Sequence, residues 1–247
     1  MTEVRITVAE GVAEVVLDRP AKRNALTGAM YDAITEVLTG ADDGDEIRAV
    51  LLAGEGRSFC GGNDLQDFLS RPPSAESPQV RFLNALGALR TPLVAAVQGP
   101  VVGVGATLLL HCDYVVAASD LALHFPFTSL ALVPEAGSSL LLPRLLGHQR
   151  AAEVLFSGEP VVAERALDWG MINRVVPDGT ERTVAREFAL RVASLPPEAV
   201  RLTKGLLRTE GDDLATRMKV EGDLFFERVR SAEFVAIAEA FVAGSAR

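Results

Sequence analysis

The chain has 247 residues, 49% of them hydrophobic, and a formal net charge of -9 from 24 Lys and Arg against 33 Asp and Glu. Such a length can bury a large core in one big domain or two small ones. The acidic balance argues against a nucleic-acid or membrane-surface protein, because both need a positive field at the contact surface, so any anionic ligand must be held by a local basic cluster.

From the N-terminus, VRITVAEGVAEVVLDRP alternates apolar and polar residues with Gly11 at the reversal, which predicts a two-stranded hairpin. Thr27 can cap a helix through TGAMYDAITEVLTGADDG, whose Met30, Ile34, Val37 and Leu38 share one face and whose end Gly40 and Gly44 punctuate. RAVLLAG reads as a buried strand. A helix around VRFLNALGALR follows, then a strand in PLVAAVQG, a short helix from Gly103 and a strand in DYVVAAS. Helices through SSLLLPRLL and QRAAEVLFSG and a strand in INRVV complete the alternation, which is that of an α/β protein. From about Thr180 the remaining segments read as amphipathic helices with no strand between them, and Pro196 and Pro197 mark a break. The expected organisation is an α/β core over residues 1–190 and a helical region over 191–247. SRPPSAESPQ, residues 70–79, has the composition of a mobile loop.

The first ten residues carry an acid and no long apolar run, so no signal peptide is expected, and the longest apolar stretches fall short of a membrane span. Cys60 and Cys112 lack metal-ligand spacing and read as reduced core thiols, which points to the cytoplasm.

Two glycine-bearing loops could carry chemistry. In RSFCGGNDLQDF, Gly61 and Gly62 follow a short strand and let the backbone turn sharply, pointing successive N–H groups one way. In VQGPVVGVGATLLLHCD, Gly103-Val104-Gly105 opens an apolar helix whose first N–H groups are free. This spacing is neither a dinucleotide fingerprint nor a P-loop. A lone acid, Glu135, stands in TSLALVPEAGSS; it reads either as a first-turn acid that offsets a helix macrodipole or as a catalytic carboxylate. Asp113 and Asp120 read as turn or cap residues, Ser138 and Ser139 as caps of the helix they begin, and His124 as a core or pocket-wall residue.

The order of RNAL near residue 24, SFCGGNDL near 60, AVQGPVVGVGATLLLHCDYVVAAS near 105 and PEAGSSLLLPRLLG near 140 resembles the crotonase superfamily of enoyl-CoA hydratases and isomerases. GNDL, ATLL and HFPFTSLALVPEAGSS resemble the peroxisomal-type Δ3,Δ2-enoyl-CoA isomerases within it. The resemblance covers essentially the whole chain. It implies a spiral of ββα units closed by C-terminal helices, and an oxyanion hole from the backbone N–H groups of Asn63 and Val104 that holds the thioester oxygen of an acyl-CoA. The positions that match the two hydratase glutamates are Thr107 and Phe127, and neither can serve as a carboxylate acid or base. Glu135 matches the catalytic glutamate of the isomerases, and its apolar neighbours Phe127, Leu130, Leu132 and Val133 are expected to raise its pKa.

By the same resemblance, Arg19, Lys22 and Arg23 in DRPAKRNAL lie along the nucleotide portion of CoA, with the backbone around Asp64 and Leu65 near its adenine end; a solvated surface turn is the alternative. Phe127, Thr107, Leu130 and Leu132 are candidates for the acyl pocket. CoA is part of the substrate, and no metal or redox cofactor is implied. A homo-oligomer, trimer or hexamer, follows from the family packing and from the bulky apolar surface of LFFERV and FVAIAEAFVAG. Two rivals to the isomerase stand: another reaction on the same scaffold, hydratase-like or dehalogenase-like, and a silent acyl-CoA-binding protein.

Overall fold

The computed structural model describes residues 3–70, 74–209 and 211–245. The chain divides into two compact units, Met1–Ala193 and Ser194–Arg247.

In the first unit, β1 (Val4–Ala9) and β2 (Val12–Leu17) form the expected antiparallel hairpin, with Glu10 and Gly11 at φ 55° and 78° making its two-residue turn. Helix α1 (Gly28–Asp43) is capped by the Thr27 side chain, which accepts from Met30 N at 3.4 Å. Strands β3 (Ala49–Gly54) and β4 (Leu93–Val97) continue the sheet in parallel, and between them come the short α2 (Leu65–Ser70) and α3 (Pro78–Ala88). After β5 (Pro100–Val102) and α4 (Val104–Thr107), β6 (Tyr114–Ala118) rejoins the large sheet. β7 (Ala122–His124), α5 (Ser138–Leu146), α6 (His148–Ser157), β8 (Val161–Val162), α7 (Ala163–Asp168), β9 (Arg174–Val176) and α8 (Glu181–Ala193) complete the unit. The large sheet runs β1-β2-β3-β4-β6-β9, and a small one runs β5-β7-β8.

β3 shows why these strands are continuously apolar. Its Val50 and Leu52 enter the core beneath α1 and α3, while Ala49, Leu51 and Ala53 enter a second core shared with Ala185, Ala189 and Ala193 of α8. A strand covered on both faces has no polar side to show. The alanines at every fourth position let α8 lie close on the sheet, and Phe188 stacks on Tyr114 with ring centroids 3.7 Å apart. Helix α8 therefore belongs with the sheet, and the division falls at 193, three residues beyond the expected 190.

Three features went unforeseen: the small sheet, whose strands of two or three residues carry no readable period, and the one-to-two-turn helices α2 and α7. Of the stretch read as a mobile loop, residues 71–73 lie outside the described residues. Its last two residues already belong to α3, where Pro78 fits the first helical turn.

The second unit comprises α9 (Pro197–Arg208), α10 (Leu214–Val229) and α11 (Ala232–Ser245). Asp213 caps α10 by accepting from Thr216 N at 2.8 Å, and Arg217 reaches back to the carbonyls of Leu206 and Thr209 at 2.6 and 2.8 Å. No helix among the described residues is long and apolar enough to cross a membrane.

Candidate active site

Two backbone segments meet after β3 and β4, and glycine makes the meeting possible. Gly62 sits at φ 90°, and a Cβ there would lie 3.0 Å from the Val102 carbonyl oxygen. A Cβ on Gly105 would lie 2.8 Å from Cys60 Cβ and 2.9 Å from its carbonyl oxygen, which is closer than side chains tolerate. The joint is fastened where Val102 N donates to Cys60 O at 2.9 Å. On its far side, Leu26 N donates to Gly62 O at 2.8 Å and Asp64 N to Leu26 O at 2.9 Å, a parallel bridge that turns the Asn63 N–H away from Leu26. Val104 is the first residue of α4, so its N–H has no partner within the helix. Among the described residues neither the Asn63 nor the Val104 N–H has an acceptor. Both residues line one pocket, together with Phe127, Leu130 and Leu132.

Glu135 is not a first-turn helix acid. It precedes Gly137, the N-cap of α5, and the first turn of that helix contains no acid. Its turn is held from several sides. Ser138 N and Oγ donate to the Glu135 carbonyl at 3.0 and 2.7 Å, and His111 Nε2 bonds the Ala136 carbonyl at 2.8 Å. Ala136 and Gly137 take φ 53° and 68°. The carboxylate then accepts from Thr107 Oγ1. Thr107 is buried and stands three residues after Val104, so the acid is fixed about one helical turn, roughly 5 Å, along α4 from the Val104 N–H. Burial pushes the Glu135 carboxyl above its ordinary value of 4.5, and the Thr107 hydrogen bond opposes that rise.

Several expectations are corrected here. Ser138 is the first helical residue and donates back to a carbonyl, so it fastens the Glu135 turn instead of capping the helix, and no side chain caps α5. Val133 is 81% exposed and adds nothing to the shielding of Glu135. Neither Thr107 nor Glu135 lines the pocket; the pair is joined to it through α4, whose first residue, Val104, does line it. Arg19 is occupied by Glu3 at 2.8 Å and Asp64 at 2.6 Å. Asp64 in turn caps α2 through Gln66 N and Asp67 N, at 3.0 and 3.1 Å, and Arg19 holds its carboxyl below the usual range. These two residues therefore brace the loop. Lys22 and Arg23 remain exposed, and the Arg23 carbonyl accepts from the N–H of Gly61, a pocket-lining residue, at 2.7 Å; Leu65 lines the pocket itself. Asp113 and Asp120 accept from Leu93 N and Gly99 N at 2.7 and 2.9 Å, the structural roles expected of them. His124 is a half-buried residue of β7 whose pKa burial lowers.

Sequence reasoning missed Tyr31 and Phe68. Phe68 lines the pocket from α2, a helix that was not foreseen. Tyr31 lies on the buried face of α1 and donates its hydroxyl to Asn63 Oδ1 at 2.7 Å. A phenol beside Met30 on a core-facing helix was the available signal, since a buried hydroxyl must find a partner.

The model of the enoyl-CoA hydratase/isomerase family matches residues 7–243. The 1,2-epoxyphenylacetyl-CoA isomerase of Escherichia coli is 35% identical over 96% of this chain and 94% of its own length. Enoyl-CoA delta isomerase 2 of Rattus norvegicus is 34% identical over 83% of this chain, which spans 54% of that longer protein. The enoyl-CoA hydratase/isomerase from Pseudoalteromonas atlantica superposes with a TM-score of 0.81 at 38% identity, covering 98% of this chain and 97% of that one. The fold is thus that of the crotonases. The chain belongs to the enoyl-CoA hydratase/isomerase family. Its relatives carry isomerase and hydratase names alike at similar identity.

Proposed function

We propose that the protein is a Δ3,Δ2-enoyl-CoA isomerase that works with one acid–base group, Glu135. The observation that carries this reading is that the Glu135 carboxylate is tied to Thr107, one turn along α4 from the Val104 N–H, while by resemblance Thr107 and Phe127 stand where hydratases have their glutamates. Adding water takes one group to activate it and a route for protonating the enolate carbon. Moving a double bond takes less. The Glu135 carboxylate removes a proton from C2 of a 3-enoyl thioester, the C2–H electron pair flows into a dienolate, and the negative charge collects on the thioester oxygen. There the N–H groups of Asn63 and Val104 stabilise it, as preorganised donors do. The protonated acid then delivers the same proton to C4, leaving the 2-enoyl thioester.

The exposed Lys22 and Arg23 are the cations for the CoA phosphates, and Arg19 braces the loop through Asp64. These steps use side chains and backbone only, so no metal or redox group has a role in them, and CoA enters as part of the substrate. The working form is a homo-oligomer, a trimer or a pair of trimers.

The test is turnover of the purified protein on 3-enoyl and 2-enoyl-CoA thioesters of several chain lengths. Conversion of 3-enoyl to 2-enoyl thioester with negligible hydration of crotonyl-CoA is expected. Efficient water addition would overturn the single-base reading, and absence of both turnover and C2 proton exchange would leave a silent binder.

A further inference from the structure

We propose that Tyr31 is a positioning residue for the oxyanion contact: its hydroxyl anchors the Asn63 side chain and so leaves the Asn63 N–H free for the thioester oxygen. This rests on the assignment of that N–H made under the proposed function.

The anchor comes from the core. Tyr31 is 1% exposed, its ring tilts against Phe82 with centroids 5.2 Å apart, and its hydroxyl emerges from α1 directly under the pocket loop. Burial, with Cys60 and Glu135 adding to it, pushes the phenol well above its ordinary value, so it stays protonated and donates at every working pH.

The backbone of the loop is already clamped by Leu26 and Arg23, which leaves the Asn63 side chain as the part free to rotate. An unheld asparagine oxygen has a local alternative. Asn side chains readily accept from backbone N–H groups within a residue or two of themselves. Released from Tyr31, Oδ1 would compete with the substrate oxygen for the N–H groups of its own loop, and the oxyanion contact would weaken without any change in the pocket walls.

Tyr31→Phe tests this, because the ring and its packing on Phe82 remain while the donor is lost. Three readouts are needed: kcat and KM for the 3-enoyl thioester, the melting temperature, and the infrared carbonyl stretch of a bound 13C-labelled thioester. The expected result is a fall in kcat of about ten- to a hundredfold, as for a donor displaced by an ångström or less, with KM nearly constant. The carbonyl stretch should move back toward its value in free solution. Replacing Tyr31 by 4-aminophenylalanine, which restores a donor of similar reach, should recover both. In an Asn63→Ala background, Tyr31→Phe should cost nothing further, because the competing oxygen is gone.

A Tyr31→Phe variant with wild-type kcat and carbonyl shift overturns the inference and leaves the oxyanion assignment standing. So does an equal loss in both backgrounds, which would mark a purely structural role. A wild-type complex whose carbonyl stretch matches free solution overturns the assignment and the inference together.

Discussion

Glu135 is under two opposing demands, and they can be separated by pH. In the proposed reaction it must be ionised, yet burial raises its folded pKa above the ordinary 4.5. The folded state therefore binds more protons than the unfolded state between those two values. Stability falls as pH rises through that window, so ionised Glu135 costs stability at neutral pH. Glu135→Gln should thus lower isomerisation by about two to four orders of magnitude while melting no lower than wild type at neutral pH; calorimetry should find any gain vanishing below the ordinary carboxylate range. A variant that loses stability but keeps turnover would identify the acid as structural. Thr107 moves the balance the other way, since its hydrogen bond holds the Glu135 pKa down. Thr107→Val should shift the acid limb of the kcat/KM profile to higher pH, whereas a residue that only packs would change its height.

At the scale of elements, the site is a joint between two loops whose closeness depends on absent side chains. Gly105→Ala would drive a methyl into Cys60, with both its Cβ and its carbonyl within 3.0 Å, so the loops must part. A loss of about 1–3 kcal/mol in chemical denaturation is expected, with a larger fractional loss of kcat than of affinity, because Val104 moves with the helix start. An unchanged kcat would mean that the Val104 N–H is not held by this contact. The main strands and helices were legible because apolar runs of five or six residues and helix faces such as Met30, Ile34, Val37 and Leu38 carry their period in the sequence. The open N–H groups of Asn63 and Val104 were anticipated only through glycine patterns and family resemblance. What could not be read was pairing at a distance: that Arg19 would be spent on Asp64, that Tyr31 would reach Asn63, and that Ser138 would turn back to Glu135. Each depends on segments brought together by the fold, and nothing local announces it.

At the scale of the molecule, the second unit exposes what a free-standing chain would hide. Helix α10 buries no residue, and its Phe225 and Phe226 are 65% and 60% exposed. Adjacent exposed aromatic residues of this kind mark an association surface. Sedimentation at micromolar concentration should find a stable homo-oligomer, and Phe225→Asp with Phe226→Asp should shift it toward monomer. A stable wild-type monomer would count against the assembly.

Cys60 makes the loop joint observable in time. Its thiol is fully covered, and burial pushes its pKa up to about 12, so an alkylating reagent meets it only when the covering turn at Gly105 lifts away. The slow phase of labelling is then a clock for the opening of the two joined loops, read apart from the half-buried Cys112. An acyl-CoA that bridges Asn63 and Val104 should slow this clock in proportion to its occupancy, giving an affinity without turnover. A Cys60 labelling rate indifferent to saturating ligand would show that the joint opens independently of what it holds.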